Sequence, residues 1–164
     1  MSEGLDSFAK LRTLDARSFL SDTGWNVQET GGQGQSLLQE AISARKLDIA
    51  EALIKKGVPL DVQDDKGRTA LHYVVAYGDW DLGRKIVEAG ANLNISDAAG
   101  NNVVWAAVLS PRRNLDFVRV LMTNGADSSH KNKAGRSALD FCVQTGNKSL
   151  WLICGGEGNE LKDI

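Results

Sequence analysis

Side chains that could perform catalysis or hold a metal are few and widely spaced in this sequence. Its two histidines, His72 and His130, lie 58 residues apart, and neither has a cysteine or glutamate at a spacing typical of metal ligands. The two cysteines, Cys142 and Cys154, both lie in apolar segments. Two cysteines cannot form a disulfide framework or a four-thiolate zinc site, and free cysteine packs as a small hydrophobic side chain. We therefore expect both to be buried free thiols.

Two loop segments resemble ligand-binding motifs only superficially. A glycine-rich run spans residues 31–34, but no Lys-Ser or Lys-Thr pair follows it and no buried strand precedes it, so it is not a phosphate-binding loop. The acidic run at residues 64–67 is too short for a calcium loop, which spaces its oxygen ligands over about 12 residues. No nucleophile-elbow pattern supports a Ser/His/Asp triad. We expect a protein without catalytic activity, cofactor or metal.

The size and composition of the chain indicate one ordinary domain or one short repeat array. It has 164 residues, of which 42% are hydrophobic, a fraction that argues against wholesale disorder. The net charge is −2, so no overall basic excess indicates a nucleic-acid partner. The N-terminus has an early acid and no apolar core, and no window approaches the roughly 20 apolar residues of a membrane span. We expect a soluble, cytoplasmic protein that does not bind membranes.

Eight of the 17 glycines fall in two regularly spaced series. One series follows apolar helical segments, at positions 24, 57, 90 and 125, with spacings of 33, 33 and 35 residues. A second series, at positions 34, 67, 100 and 135, has the same three spacings. Two series with the same offsets indicate an internal repeat of about 33 residues, with two extra residues in its third copy.

Within one period the residues predict a helix, a turn, a second helix and an extended loop. Residues 67–78 have the start and stop features of a short helix. Residues 81–90 predict a second helix that ends at a glycine able to adopt a positive φ. Residues 91–97 then run extended into the next glycine turn.

The string Thr69-Ala70-Leu71-His72, with Ala76 and Gly78 after it, resembles the Thr-Pro-Leu-His signature of ankyrin repeats. The segment 90–94 resembles the loop that ends each such repeat, and residues 125–127 match it again. The resemblance covers residues 31 to 154 with decreasing fidelity. It implies an all-α ankyrin-repeat solenoid of helix-turn-helix units joined by β-hairpin-like finger loops.

The signature is degenerate in three of the four repeats. Its first position holds Ser36, Thr69, Asn102 and Ser137, which are residues that cap helix N-termini. In the family the signature histidine bonds to neighbouring backbone, and its restriction to His72 predicts softer repeats elsewhere. We expect His130, in a finger loop, to be solvated.

We predict about four full repeats preceded by a degenerate capping unit. Leu5, Phe8, Leu11 and Leu14 fall at helical spacing within this cap. The predicted divisions are capping helices over 1–30, repeats over 31–63, 64–96, 97–131 and 132–154, and a flexible tail over 155–164, with the insertion in the third repeat and a truncated cap in the fourth.

The resemblance implies that a partner meets the finger loops and the exposed side of each first helix. Tyr77 is an aromatic residue at such a place, and aromatic residues are enriched at binding hot spots. Trp105 replaces the signature histidine, where it either packs inside or borders the groove. The predicted partner-binding residues are Asp65, Lys66, Arg68, Tyr77, Trp105, Arg112, Arg113, Lys133 and Arg136.

The charge distribution indicates what this surface would bind. Residues 1–82 carry 9 basic and 13 acidic residues, whereas residues 83–164 carry 10 and 8. Six basic residues and two acids lie between 110 and 136. The insertion Pro111-Arg112 is either a tolerated surface insertion or part of this basic region. The bias favours an acidic patch on a protein partner. Without an aromatic stacking platform, it is thin evidence for nucleic acid.

An array of this kind acts by occupying another protein. We expect it to bind and block or neutralise its partner through the concave finger and helix surface, and to be monomeric alone. Small solitary ankyrin proteins resemble stoichiometric inhibitors and bacterial immunity proteins that neutralise a toxin. The alternative is a scaffold or adaptor in a regulatory complex.

Overall fold

The computed structural model describes residues 6–22 and 24–157, which contain ten α-helices in five consecutive pairs. These ranges contain no β-strand, only an isolated antiparallel bridge between Thr30 and Ser36. None of their helices is long and apolar enough to cross a membrane. The helices are α1 (Ser7–Thr13), α2 (Ala16–Ser21), α3 (Leu37–Ser43), α4 (Leu47–Lys55), α5 (Ala70–Tyr77), α6 (Trp80–Glu88), α7 (Val103–Leu109), α8 (Leu115–Thr123), α9 (Ala138–Gln144) and α10 (Lys148–Ile153).

The first helix of each of the last four pairs begins directly after one of the predicted capping residues. The side chains of Ser36, Asn102 and Ser137 each accept a hydrogen bond from the backbone N–H three residues later. At Thr69, the backbone N–H donates to Nδ1 of His72 over 3.2 Å. These bonds satisfy N–H groups that the first turn of a helix leaves free, so the predicted helix starts are confirmed.

Neighbouring pairs stack to form two layers of helices. The first helices α1, α3, α5, α7 and α9 pack in sequence, and the second helices α2, α4, α6, α8 and α10 do the same beside them. Leu53, Leu71, Ile86 and Leu121 are fully buried in the shared core. Burial of each such side chain contributes about 1.5–3 kcal/mol. Leu139 is only half-buried, because α9 is the last helix of its layer.

The second helices α4, α6, α8 and α10 are each followed by a glycine with a positive φ, which is 85° at Gly155 after α10, whereas α2 in the first unit is not. Gly57, Gly90 and Gly125 follow α4, α6 and α8 with φ between 73° and 89°. Gly24 was expected to have the same role. However, α2 ends at Ser21, and Gly24 is not among the residues with positive φ. The capping unit therefore closes by a different turn from the repeats.

Four finger loops project between the helix pairs: finger 1 (residues 31–35), finger 2 (64–68), finger 3 (97–101) and finger 4 (132–136). In each finger the N–H of the first residue donates to the carbonyl of the fifth over 2.8–3.0 Å. Each finger also bonds to the next: Lys133 N–H, for example, donates to Ala99 O over 3.0 Å. A Cβ on Gly67 would lie 2.8 Å from Ala98 N, so this packing requires glycine as well as a positive φ.

The two ends of the array close in different ways. In the capping unit Phe19 stacks on Trp25 at a centroid distance of 5.7 Å. Of the four apolar residues predicted at helical spacing in the capping unit, Leu5 lies outside the described residues. At the other end Gly156, the second residue of the predicted tail, is buried against the indole of Trp151. Residues 158–164 of that tail lie outside the described residues.

The two cysteines are buried free thiols, as predicted. Cys142 lies in α9, and Cys154 directly follows α10. Their sulfur atoms are 3.8 Å apart. Ser128 donates its hydroxyl hydrogen bond to the carbonyl of Cys154, which ties the end of α10 to the loop after α8.

Candidate protein-binding surface

The fingers, the exposed sides of the first helices and the turns after them form one side of the molecule, which we call the recognition face. All nine predicted partner-binding residues lie on these elements. The exposed ones are Asp65, Lys66, Tyr77, Arg112, Arg113, Lys133 and Arg136, whereas Arg68 is half-buried and Trp105 is only 7% exposed. Packing is therefore part of the role of Trp105.

Three shallow grooves cross the recognition face between consecutive repeats. Groove 1, of about 240 Å³, includes Gln33, Arg68, Tyr73 and Tyr77 in its lining. Groove 2, of about 260 Å³, is lined by Arg68, His72, Val75, Ala76, Asp97, Ala106, Ser110 and Pro111. Groove 3, of about 510 Å³, is lined by Ala99, Asn101, Trp105, Leu109, Asn132, Lys133, Ala134 and Arg136.

Finger 2 is organised by one buried carboxylate. Asp64 Oδ1 accepts hydrogen bonds from the backbone N–H groups of Lys66 and Arg68. Its Oδ2 accepts from Nε and Nη2 of Arg68, over 2.9 and 2.7 Å, and from the hydroxyl of Tyr73 over 2.9 Å. The Arg68 guanidinium also lies 4.7 Å from the centre of the Tyr73 ring. Arg68 is thus committed to internal contacts, although it borders two grooves.

The titration of this cluster follows from its contacts. Burial alone would raise the pKa of Asp64, but the hydrogen bonds from Arg68 and Tyr73 outweigh it, so the pKa is lowered. Burial, followed by the hydrogen bond to Asp64, raises the pKa of Tyr73 to about 12. At neutral pH the cluster therefore holds a charged carboxylate, a charged guanidinium and a neutral phenol.

The signature histidine joins two consecutive repeats. His72 Nδ1 accepts from Thr69 N–H, and its Nε2 lies 3.1 Å from the carbonyl oxygen of Asn101 on finger 3. Burial lowers the pKa of His72, so the neutral imidazole is favoured. Gln39 makes the corresponding bonds one repeat earlier. Its Oε1 accepts from Ser36 N–H, and its Nε2 donates to Arg68 O over 2.6 Å.

At least one repeat that lacks the histidine therefore keeps this connection. Gln39 makes both bonds in the first repeat, so the loss of histidine there does not remove the connection. In the third repeat Asn102 Nδ2 donates to Asp127 O over 2.7 Å, a bond within that repeat. His130 is half-buried rather than solvated, with Nε2 3.0 Å from both Ser96 Oγ and Gly100 O.

Finger 4 has the backbone geometry of finger 2 without its carboxylate. Asn132 occupies the position of Asp64, and its Oδ1 accepts from the N–H groups of Ala134 and Arg136. The remaining amide nitrogen of Asn132 donates to Asn101 Oδ1 over 2.9 Å. Because the amide is neutral and already bonded, it does not hold the Arg136 guanidinium.

The Arg136 side chain instead covers groove 3. Its Cζ lies 5.5 Å from the centre of the Trp105 ring, the geometry of a cation–π contact. Phe141 also packs against that ring, edge-on at a centroid distance of 6.2 Å. Leu109, which is 39% exposed, lines the same groove, and Lys133 lies at its finger side. Groove 3 therefore combines two exposed cations with apolar surface.

A further set of contacts surrounds Tyr77, at the end of α5 away from the fingers. The Arg45 guanidinium bonds to Asp79 and lies 6.0 Å from the Tyr77 ring centre. From the other side, Arg112 Nη1 donates to Tyr77 O over 2.9 Å. Arg113 Nε donates to Val108 O over 2.6 Å. The insertion is thus attached to the body of the protein.

Arginines on the two parts of the recognition face differ in their pairing, whereas the lysines do not: Lys66 of finger 2 forms no ion pair within the described residues, and Lys131 lies 4.0 Å from Asp140. In the earlier repeats three arginines form ion pairs, namely Arg12 with Glu40, Arg45 with Asp79 and Arg68 with Asp64. In the third and fourth repeats, four cations form no ion pair with any carboxylate of the described residues: Arg112, Arg113, Lys133 and Arg136. The unpaired charge coincides with the basic region predicted from the sequence.

Sequence reasoning missed the residues that shape the fingers. Asp64, Asp97 and Asn132 recur at the first finger position, and each accepts hydrogen bonds from the backbone N–H groups two and four residues later. Their in-phase spacing could have revealed this role. Arg45 was also missed, although its position, 33 residues before Gly78, is the corresponding turn of the first repeat.

Comparison with known proteins supports the repeat architecture. A family model described as ankyrin repeats, in three copies, matches residues 9–97, which is more than half of the chain. No curated protein matches the sequence.

Proposed function

The chain belongs to the ankyrin-repeat family, whose repeats mediate binding to other proteins, and we propose that it binds and blocks an acidic protein through its recognition face. The partner's acidic patch contacts groove 3 and the basic side chains around it. Lys133 and Arg136 provide the charge, and the edge of Trp105 with Leu109 provides apolar contact.

The observation that carries this proposal is the unpaired state of Arg136 on Trp105. An arginine on an aromatic ring is partly desolvated and keeps N–H donors in the fork geometry that suits a carboxylate. A partner carboxylate at Arg136 would take the place that Asp64 takes at Arg68. Arginine and aromatic residues are also common among interface hot spots.

A blocking role is consistent with the arrangement of these groups on one continuous face. A partner that covers groove 3 is itself covered over the same area, so its own acidic surface is closed to other molecules. Neutralisation of a toxin by an immunity protein is one special case of this mode of action.

The test is affinity purification from the native host followed by mass spectrometry and isothermal titration calorimetry. Wild type is compared with the triple variant Arg112→Glu, Lys133→Glu and Arg136→Glu. A matched control, Lys55→Glu, Arg119→Glu and Lys148→Glu, makes the same charge change at exposed positions on the second helices.

We expect one acidic partner at a ratio of one to one, with binding weakened at least 100-fold in the first variant and less than threefold in the control. Equal losses in the two variants would show that only net charge matters. Recovery of several proteins with modest affinity would favour an adaptor instead. Rescue of growth from a toxin partner would identify the immunity case.

A further inference from the structure

We infer that the insertion in the third repeat builds a second contact site for the same acidic partner, at the turn side of the recognition face. This turn site consists of Tyr77, Arg112 and Arg113, and it binds carboxylates. The inference rests on the proposed function, because it assigns a second set of contacts to the same kind of partner.

The insertion is held in place by bonds to two repeats. Arg112 reaches back 35 residues to donate to Tyr77 O over 2.9 Å. Its own backbone N–H donates to Ser110 Oγ over 3.2 Å, and Arg113 N–H donates to Ser110 O over 3.0 Å. The side chain of Arg112 also runs close over Gly78, where a Cβ would lie 3.1 Å from its Cδ. The two guanidinium groups are thus presented from an ordered loop.

Arg45 supports Tyr77 from the opposite side. It is the one residue other than glycine with a positive φ, 61°, in the described part of the chain. Gly78 and Gly146 have the corresponding left-handed conformation after α5 and α9, where no Cβ is present to oppose it. Contacts of the Arg45 side chain with Asp79 and the Tyr77 ring offset this unfavourable backbone. Tyr77 therefore stands between two arginines, with 37% of its surface exposed.

The charge of the turn site is not neutralised inside the protein. Arg112 and Arg113 each donate to a backbone carbonyl, and neither forms an ion pair within residues 6–22 and 24–157. A carbonyl oxygen occupies one donor of each guanidinium and leaves the others exposed. The Tyr77 hydroxyl has no hydrogen-bond partner in the same ranges. The guanidinium groups of Arg112 and Arg113, beside the Tyr77 hydroxyl, can therefore bind carboxylate side chains of another protein.

Groove 2 connects the turn site with the fingers. Its lining includes Val75, Ala76, Ala106 and Pro111, which give it an apolar floor, and Pro111 belongs to the insertion. The finger end of groove 2 carries Asp97, so the acidic residues that bind finger 4 lie across groove 3, whose lining includes Leu109 just before the insertion as well as Lys133 and Arg136. An extended partner can therefore place one acidic cluster at the turn site and another at finger 4, with apolar side chains between them. The partner chemistry that fits is two acidic clusters separated by a short apolar stretch.

The test is titration of the full-length ¹⁵N-labelled protein with an N-acetylated, C-amidated hexaglutamate peptide, followed by NMR chemical shifts. Hexalysine serves as the charge control, and a ten-residue thymidine oligonucleotide tests a nucleic-acid partner. The turn variant is Arg112→Gln with Arg113→Gln, the finger variant is Lys133→Gln with Arg136→Gln, and the control variant is Arg119→Gln with Lys148→Gln. Unchanged spectra at distant residues establish that each variant is folded.

We expect hexaglutamate to shift the amides of residues 77–78 and 110–113 as well as those of finger 4. The turn variant should lose the first set, with at least a fivefold higher Kd for what remains, and retain the second. Shifts in finger 4 alone would overturn the turn site and leave the proposed function intact. No saturable shift at either place would overturn both, and so would tighter binding of the oligonucleotide at these residues.

Discussion

Fingers 2 and 4 have the same backbone hydrogen bonds, but their arginines make different contacts. In both, the side chain of the first residue accepts hydrogen bonds from the backbone N–H groups two and four residues later. A backbone hydrogen bond from the first residue to the carbonyl of the fifth closes each loop, over 3.0 Å in finger 2 and 2.9 Å in finger 4. Finger 2 has Asp64, whose second oxygen holds Arg68. Finger 4 has Asn132, so Arg136 lies over Trp105 instead. The carboxylate of Asp64, which finger 4 lacks, thus determines whether the arginine forms an internal ion pair or stays available to a partner.

The largest expected difference between these two repeats concerns the core beneath their fingers. Leu71→Asp places an unpaired carboxylate at a site that is 1% exposed, so we expect a loss of more than about 4 kcal/mol in the free energy of unfolding. Leu139→Asp, at the equivalent half-buried position, should cost less than about 2 kcal/mol. Urea denaturation followed by circular dichroism measures both. Equal losses would mean that the last repeat is packed as tightly as the second.

The next largest effect isolates the finger carboxylate. Asp64→Ala leaves Arg68 and Tyr73 without their shared partner, so we expect a loss of about 3 kcal/mol. Asn132→Ala removes only neutral hydrogen bonds and should cost about 1 kcal/mol. Thermal and urea unfolding give both numbers. A loss at Asn132 as large as that at Asp64 would remove the proposed difference between the fingers.

The two repeats should also differ in the pH at which they lose stability. Because burial lowers the pKa of His72 in the folded protein, the unfolded chain binds that proton more readily, and stability falls as the pH drops below about 6.5. The equivalent residue Asp140 has its pKa lowered by hydrogen bonds from Ser137. Its contribution is complete above about pH 4 and is lost only at lower pH.

Unfolding free energies of wild type and His72→Gln between pH 7.5 and 5 test this difference. Glutamine keeps the bonding that Gln39 already shows in the preceding repeat, so the variant should fold and lose the pH dependence in this window. A slope that persists in the variant would assign it to other groups.

The smallest expected effect is that of a substitution that gives finger 4 the carboxylate of finger 2. Asn132→Asp should draw Arg136 into an internal ion pair and weaken hexaglutamate binding at finger 4 about fivefold, which corresponds to about 1 kcal/mol. Stability should change by less than this amount. Asn124→Asp adds the same charge at an exposed position after α8 and is the matched control. The same titration by NMR distinguishes them, and equal weakening would show a general charge effect.

Periodicity was sufficient to predict the helices and their order. Helix starts at Ser36, Asn102 and Ser137 follow from local capping, and local interactions are determined by neighbours in the chain. Burial at the ends was less predictable. Gly156 is buried although it falls in the predicted tail, and Leu139 is half-buried where the equivalent Leu71 is fully buried, because exposure there depends on which elements lie beside the last repeat.

The candidate site was predicted in its location and only partly in its contacts. The basic residues of the third and fourth repeats were identified by counting charge, but counting treats Arg68 and Arg136 alike. Their pairing depends on the side chain four residues earlier and on the rings beneath them, Tyr73 and Trp105. The turn around Tyr77 depends on contacts over 32 to 35 residues, which no local pattern describes.

By itself the sequence determined the repeat length, the family, the helix boundaries near the caps and the bias of positive charge toward the later repeats. These properties are periodic or additive, so they can be read one residue at a time. Only the tertiary structure decided which cations are neutralised, that Gln39 replaces the signature histidine and that the insertion lies against Tyr77. Such outcomes depend on distances between residues in different repeats, which form only when the units stack.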